Sequence, residues 1–194
     1  MRRRPRKILI VDGHPDPAMG RLVHALSSAY GAAAEGAGHE VRTTTLALLD
    51  VAPLRTRADW EEGGVPEAIT TLQYDLLWAD HLVLLFPLWL GDLPSRVKAL
   101  LEQLLRPGFA FVERHGRFHA RLRRRSARLV ITMGMPSFVY RLWFGAPVVK
   151  LLRRGIFGLV GIRPVRATLF GGIEGDGAAE RALRRVTRLG RRGR

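Results

Sequence analysis

The stretch HLVLLFPLWLGDLP, His81 to Pro94, changes character halfway along. His81 to Phe86 is a continuous apolar, β-branched-rich run, the pattern of a parallel strand covered on both faces. Two prolines and a glycine then mark a rigid turn that still carries Leu88, Trp89 and Leu90. Apolar side chains on a strand-end loop are costly unless they cover something, and a flat aromatic ligand is one candidate. A core plug or a subunit contact is the other. Beyond the loop, Pro94 to Leu105 reads as a helix with a proline in its first turn after Asp92. It buries Val97, Leu100, Leu101, Leu104 and Leu105 and stops at Arg106-Pro107-Gly108.

Working outward, four further runs have strand character: Lys7–Asp12, the more polar His39–Thr45, Arg128–Met133 and Pro164–Phe170. Helical patterns separate them over Arg21–Ala34, Pro66–Trp78, Pro147–Leu159 and Gly177–Leu189. The alternation predicts a single α/β domain over residues 1–194, with a parallel sheet and helices on both faces. Residues 1–6 and 190–194 read as flexible basic tails. In such sheets ligands bind at the carboxyl ends of the strands, where strand order reverses. The loops after the first, third and fourth strands are therefore the candidate site.

Composition narrows the chemistry. The 194 residues contain no cysteine, which excludes disulfides, thiolate metal sites, iron–sulfur clusters and cysteine nucleophiles. Redox chemistry would have to ride on an organic cofactor. The net charge is +15, and 19 of the 32 basic residues sit in residues 2–7, 114–128 and 181–194. No nucleic-acid motif accompanies that charge, so no specific nucleic acid is expected. The longest apolar run is about half a membrane span, and the basic N-terminus lacks a signal-peptide core, which points to the cytoplasm. His115 and His119 could share a metal only on a helix, and arginines surround them, so no metal site is expected.

The first loop, DGHPDPAMGR, leads from Asp12 into a helix N-terminus, a natural phosphate site. It is neither a P-loop nor a dinucleotide fingerprint. His14 and Arg21 are its candidate donors, with Asp16, Met19 and Gly20 beside them. In the loop TMGMPSFVY, Thr132 to Tyr140, Gly134 permits close backbone approach and Tyr140 offers a phenol donor.

The segment ADHLVLLFPLWLGDLPSRVKALLEQLLRPGFAF, Ala79 to Phe111, resembles the flavodoxin-like NAD(P)H:quinone oxidoreductases. That group includes quinone reductases, modulator-of-drug-activity proteins and the ancillary subunits of potassium-efflux systems. KILIVDGHPDP and TMGMPSFVY stand at the matching places. The resemblance implies a three-layer sandwich with strand order 2-1-3-4-5. It implies FAD or FMN at the strand ends, and hydride passing from NAD(P)H to a quinone-like acceptor by a ping-pong route. It also implies a homodimer with the flavin at the interface; Leu142 to Ile162, an apolar run too interrupted to span a membrane and too long for one helix face, is expected to contribute to the contact. The alternative it allows is a flavin-binding regulatory subunit at a membrane transporter.

By position, the resemblance puts His14 at the flavin phosphate, with Pro87, Leu88, Trp89, Leu90 and Gly91 along the ring and ribityl chain. Thr132, Met133, Gly134 and Met135 border the ring, and Tyr140 would donate to the acceptor. Three positions depart from the pattern: Met19 replaces a serine, Leu90 a second aromatic, and Ala146 a histidine that would partner the tyrosine.

Overall fold

The computed structural model describes residues 4–194. Its centre is a five-stranded parallel sheet of β1 (Lys7–Asp12), β2 (Glu40–Thr45), β3 (His81–Pro87), β6 (Ser126–Met133) and β7 (Val165–Gly171). The strand order is β2-β1-β3-β6-β7. Counting sheet strands alone, this is the 2-1-3-4-5 order of a flavodoxin-like sandwich. The switch of direction falls between β1 and β3, which places the loops after both at a common crevice.

Alternation along the strands sends side chains to two cores. Leu9, Val11, Leu82, Leu84, Phe86, Leu129 and Ile131 pack against α3 (Glu67–Trp78) and α4 (Ser95–Leu104). Ile8, Ile10, Val83, Leu85 and Val130 face α1 (Leu22–Glu35) and α7 (Ala178–Arg191). Because both faces are covered, the central stretches of β1, β3 and β6 are continuous apolar runs, as parallel strands require. β2 lies at the edge and is largely exposed, which explains its polar sequence.

Four features differ from the sequence reading. Phe111–Arg114 (β4) and Arg117–Ala120 (β5) form an antiparallel hairpin closed at His115-Gly116, where His115 has φ +53°. The His115/His119 pair is therefore not helical, and no metal-type cluster exists among the described residues. Short helices α2 (Arg57–Glu61) and α5 (Ser137–Leu142) were not foreseen. Each is too short to display a hydrophobic period. The expected helix over Pro147–Leu159 is a single α-turn, α6 (Pro147–Lys150), followed by a π-turn over Leu151–Ile156. The wider turn, with Phe157 N–H donating to Leu152 O at 2.8 Å, lets both Leu152 and Phe157 enter the core.

The C-terminal residues 190–194, expected as a loose tail, are docked. Gly190 and Gly193 are buried, and the Tyr30 hydroxyl donates to Arg194 O at 3.2 Å. Of the N-terminal basic segment, residues 1–3 lie outside the described residues. Arg6 is anchored, its Nη1 donating to Gly193 O at 2.7 Å. No helix among the described residues is long and apolar enough to cross a membrane.

Candidate active site

β1 ends on the buried Asp12, which organises the first loop. One carboxylate oxygen accepts the His14 N–H at 3.1 Å, and the other faces His24 Nδ1 at 2.7 Å. His24 Nε2 in turn meets the Asp16 carbonyl at 2.9 Å. With an acceptor at each nitrogen, the His24 ring is placed to carry two protons. Burial opposes that charge, but the bonds to Asp12 and Asp16 outweigh it and raise the His24 pKa above its ordinary value. His14 differs. Its Nδ1 stands 3.1 Å from the Asp16 N–H and 3.2 Å from the Asp16 carbonyl, so the loop backbone fixes the ring whichever nitrogen carries the proton. Burial first, then the nearby His24 and Arg21 charges, hold the His14 pKa down despite its backbone contact to Asp16.

Gly13 lets this loop lie against β3. Its N–H donates to Leu85 O at 2.7 Å, and a Cβ would stand 2.6 Å from that same oxygen. The Asp16 carboxylate accepts from Ala18 N–H at 2.9 Å and takes the Arg21 guanidinium in a fork, Nε at 2.8 Å. Asp16 and Arg21, both expected to face a ligand, are thus spent largely on each other. Met19 is 87% exposed and Gly20 is also exposed. Behind them α1 starts with no side-chain cap and no acid in its first turn. The positive end of its dipole is left uncompensated, as at phosphate-binding helix termini.

The β3 loop is a tight two-residue turn. Trp89 and Asp92 exchange both backbone bonds at 2.9 Å, and Leu90 (φ +49°) and Gly91 (φ +82°) form its corner. Positive φ at both corner positions defines a primed turn, natural for glycine and strained for leucine by about 1–2 kcal/mol. Leu90 is moreover fully exposed, and Trp89 is 49% exposed. A strained, solvated leucine beside a half-exposed tryptophan marks a functional loop. The Trp89 ring meets the His14 ring edge-on, centroids 6.3 Å apart, joining this turn to the first loop.

Beside the turn opens a cleft of about 750 Å³. It brings together Leu88, Leu90 and Gly91 from the β3 loop with Met133, Gly134 and Met135 from the β6 loop. Pro87 and Thr132 are not in its wall. They are paired neighbours at the sheet's end, where Leu88 N–H donates to Thr132 O at 2.8 Å. His14, Asp16, Met19, Gly20 and Arg21 stand apart from the cleft, on the α1 side of Trp89. The expected residues therefore form two adjoining groups, one at a helix terminus and one around an apolar cleft.

Tyr140 requires a correction. It borders the cleft but is 0% exposed. Its hydroxyl donates to Gly91 O at 3.2 Å and accepts from Val148 N–H at 3.2 Å. A phenol has one proton, and this one is committed, so Tyr140 is a positioning residue rather than a donor to an acceptor molecule. Burial also raises its pKa, although the Val148 bond works the other way. Ala146, where a histidine would partner the phenol, is a left-handed residue opening α6.

Sequence reasoning missed Asp12 and His24 as organisers of the first loop. An acid at a strand end and a histidine in the following helix's first turn were the available signal. It also missed Asp92, on a loop it had read, and Phe144, Pro147, Val148 and Leu151, which come from a segment whose fold was not legible, as cleft wall.

A family model described as flavodoxin-like fold matches residues 6–189. An uncharacterized NAD(P)H oxidoreductase of Haemophilus influenzae is 32% identical over 113 residues, 57% of this chain. The match spans 55% of that relative, little more than half its length. Among solved structures, the NAD(P)H:quinone oxidoreductase of Methanothermobacter marburgensis superposes with TM-score 0.79 at 19% identity, covering 98% of this chain and 100% of the other. An FMN-dependent NADH-azoreductase from Bacillus anthracis, solved with FMN, superposes with TM-score 0.74 at 14% identity, covering 96% and 98%.

Proposed function

This chain belongs to the flavodoxin-like fold family, and on that premise we propose that it is a flavin-dependent NAD(P)H oxidoreductase acting on a quinone-like acceptor. The observation that carries the reading is the junction at the strand ends. An uncapped helix N-terminus and an apolar cleft lie on either side of the half-exposed Trp89. A phosphorylated, flat, aromatic cofactor needs both. The names of the Haemophilus and Methanothermobacter proteins support the donor and acceptor classes, and that of the azoreductase supports the flavin.

The residues present fit the group. The first-turn amides of α1, together with His14, would hold the phosphate of FMN or FAD. Leu88, Leu90, Gly91 and Met133–Met135 would flank the ring, with Trp89 covering the chain between the two. When bound, the flavin supplies two-electron chemistry, taking hydride from NAD(P)H and giving it to the acceptor, the two substrates using one site in turn. The chain's own part is placement. Leu88 and Trp89 N–H are spent on Thr132 O and Asp92 O, so the Leu90 and Gly91 N–H groups are the turn's donors that would meet the ring's polar edge, while Tyr140 and Asp12 hold the two loops from behind.

The cleft's outer rim is apolar and open. Phe144 lines the cleft, and it is exposed together with Phe138, Leu142 and Trp143 of the same α5 segment. A second copy of the chain covering this rim would complete the pocket, which is the homodimer we propose. The contact is narrower than the stretch Leu142–Ile162, since Val148, Leu152, Phe157, Val160 and Ile162 lie in the subunit's own core.

Oxidation of NADH and NADPH by the flavin-loaded protein, with a benzoquinone as acceptor, tests the proposal. Saturable turnover with parallel double-reciprocal plots is expected. Flavin retained without turnover would instead favour a regulatory subunit that docks through the same rim.

A further inference from the structure

At the opposite edge of the sheet, where β3, β6 and β7 begin, lies a second polar cavity of about 310 Å³. Arg6, His81, Ser126, Arg128, Arg166 and Arg194 line it, and no aspartate or glutamate does. Arg128 is only 7% exposed and His81 only 3%. Burying a guanidinium inside a sheet is costly unless a counter-charge meets it.

The hydrogen bonds leave donors over. Arg128 Nη1 donates to Thr168 Oγ1 at 2.7 Å, but its buried Nε has no acceptor. Ser126 Oγ accepts from Arg6 Nη2 at 2.8 Å and stands 2.8 Å from His81 Nδ1. His81 Nε2 is likewise buried without a hydrogen-bond partner. Burial, then the Arg6 and Arg128 charges, push the His81 pKa down to about 3, so its ring stays neutral. Burial disfavours the Arg128 charge most; Tyr30 pulls the other way, and Arg166, Arg185 and Arg194 each add a smaller push in the same direction as burial. A buried guanidinium donor without an acceptor, with further arginines beside it, calls for a ligand made of acceptors and negative charge.

We propose that this cavity binds a phosphate group, as free phosphate or as a small phosphomonoester, between Arg128 and Arg166. A dianion with several acceptor oxygens matches the two guanidinium groups of Arg128 and Arg166 better than a carboxylate, and guanidinium forks suit phosphate geometry. The cavity is too enclosed at Arg128 for a nucleic-acid backbone. The site lies at the far end of the sheet from the candidate flavin loops and does not depend on the flavin reading.

Isothermal titration calorimetry of the purified protein with inorganic phosphate, and separately with ribose 5-phosphate, tests it at ionic strength fixed by potassium chloride. One site per chain is expected for at least one of the two probes. It should weaken at least tenfold in Arg166→Ala and vanish in Arg128→Met, and it should persist in Arg21→Ala at the α1 end. The tighter probe identifies the source of the phosphate. Should Arg128→Met fail to fold, the exposed Arg166 variant decides alone. No heat above the chloride control, a site that survives Arg166→Ala, or one lost in Arg21→Ala would overturn the proposal.

Discussion

The Tyr140 hydroxyl donates to the Gly91 carbonyl at 3.2 Å and thereby ties α5 to the tightest turn of the candidate active site. The same oxygen accepts Val148 N–H, so one phenol links the β3 loop, α5 and α6. Tyr140→Phe should leave a buried amide and a carbonyl without their partner and cost about 1–3 kcal/mol of stability. Flavin affinity should fall with the loosened turn. The oxidative half-reaction of fully loaded enzyme should change little, because the phenol proton is already spent. Chemical unfolding and stopped-flow reoxidation together check this. A large loss of the oxidative rate at full flavin occupancy would restore Tyr140 as a donor.

Leu90 gives a prediction of opposite sign. Its φ of +49° is strained, and its side chain touches nothing that compensates. Leu90→Gly should relieve about 1 kcal/mol of backbone strain, partly offset by the greater chain entropy of glycine. The thermal midpoint should hold or rise while flavin affinity drops, the trade expected of a site residue. Differential scanning calorimetry with a flavin titration reads both.

Trp89→Ala should weaken flavin binding by about 1 kcal/mol, roughly fivefold, with little effect on stability because the ring is half-exposed. Fluorescence titration with FMN measures it. Unchanged affinity in a folded variant would make Trp89 part of a subunit contact only.

Acid should destabilise the protein through His81. Its folded pKa of about 3 lies below the ordinary 6.5, so the folded state prefers the neutral ring. The stability this confers is complete above pH 6.5 and is lost as pH falls toward 3, at up to about 1.4 kcal/mol per pH unit. His14, also lowered, has the same sign. His24, raised, contributes below its ordinary value and loses that contribution as pH climbs through its folded pKa. Urea midpoints between pH 4.5 and 7.5 should fall on acidification in the wild type and less steeply in His81→Gln.

Trp143→Glu should convert a dimer to a monomer and lower flavin affinity, since the exposed residue stands on the rim a second copy would cover. Sedimentation velocity at micromolar concentration distinguishes the two states.

The sheet was legible because its strands are buried on both faces. Lys7–Asp12 and His81–Pro87 are apolar runs bounded by turn residues, and the structure keeps their limits within a residue. The hairpin Phe111–Ala120 was hidden by arginines, since its strands are largely exposed and display no buried face. The site was legible at the level of loops, not of atoms. Gly91 and Trp89 stand out by type, whereas the roles of Asp12, His24 and Tyr140 depend on partners that only the fold brings together. Arg21 shows the limit most plainly. A cation beside a helix N-terminus reads as a phosphate ligand, yet a fork to Asp16 takes it up.

The central claim is a flavin seated where β1, β3 and β6 end. Its most direct test is the visible absorbance spectrum of the purified protein, before and after addition of FMN and FAD, with mass analysis of the flavin released on denaturation. Flavin bands near one equivalent per chain are expected, with affinity about fivefold weaker in Trp89→Ala. A folded protein that is colourless and takes up neither flavin would contradict it.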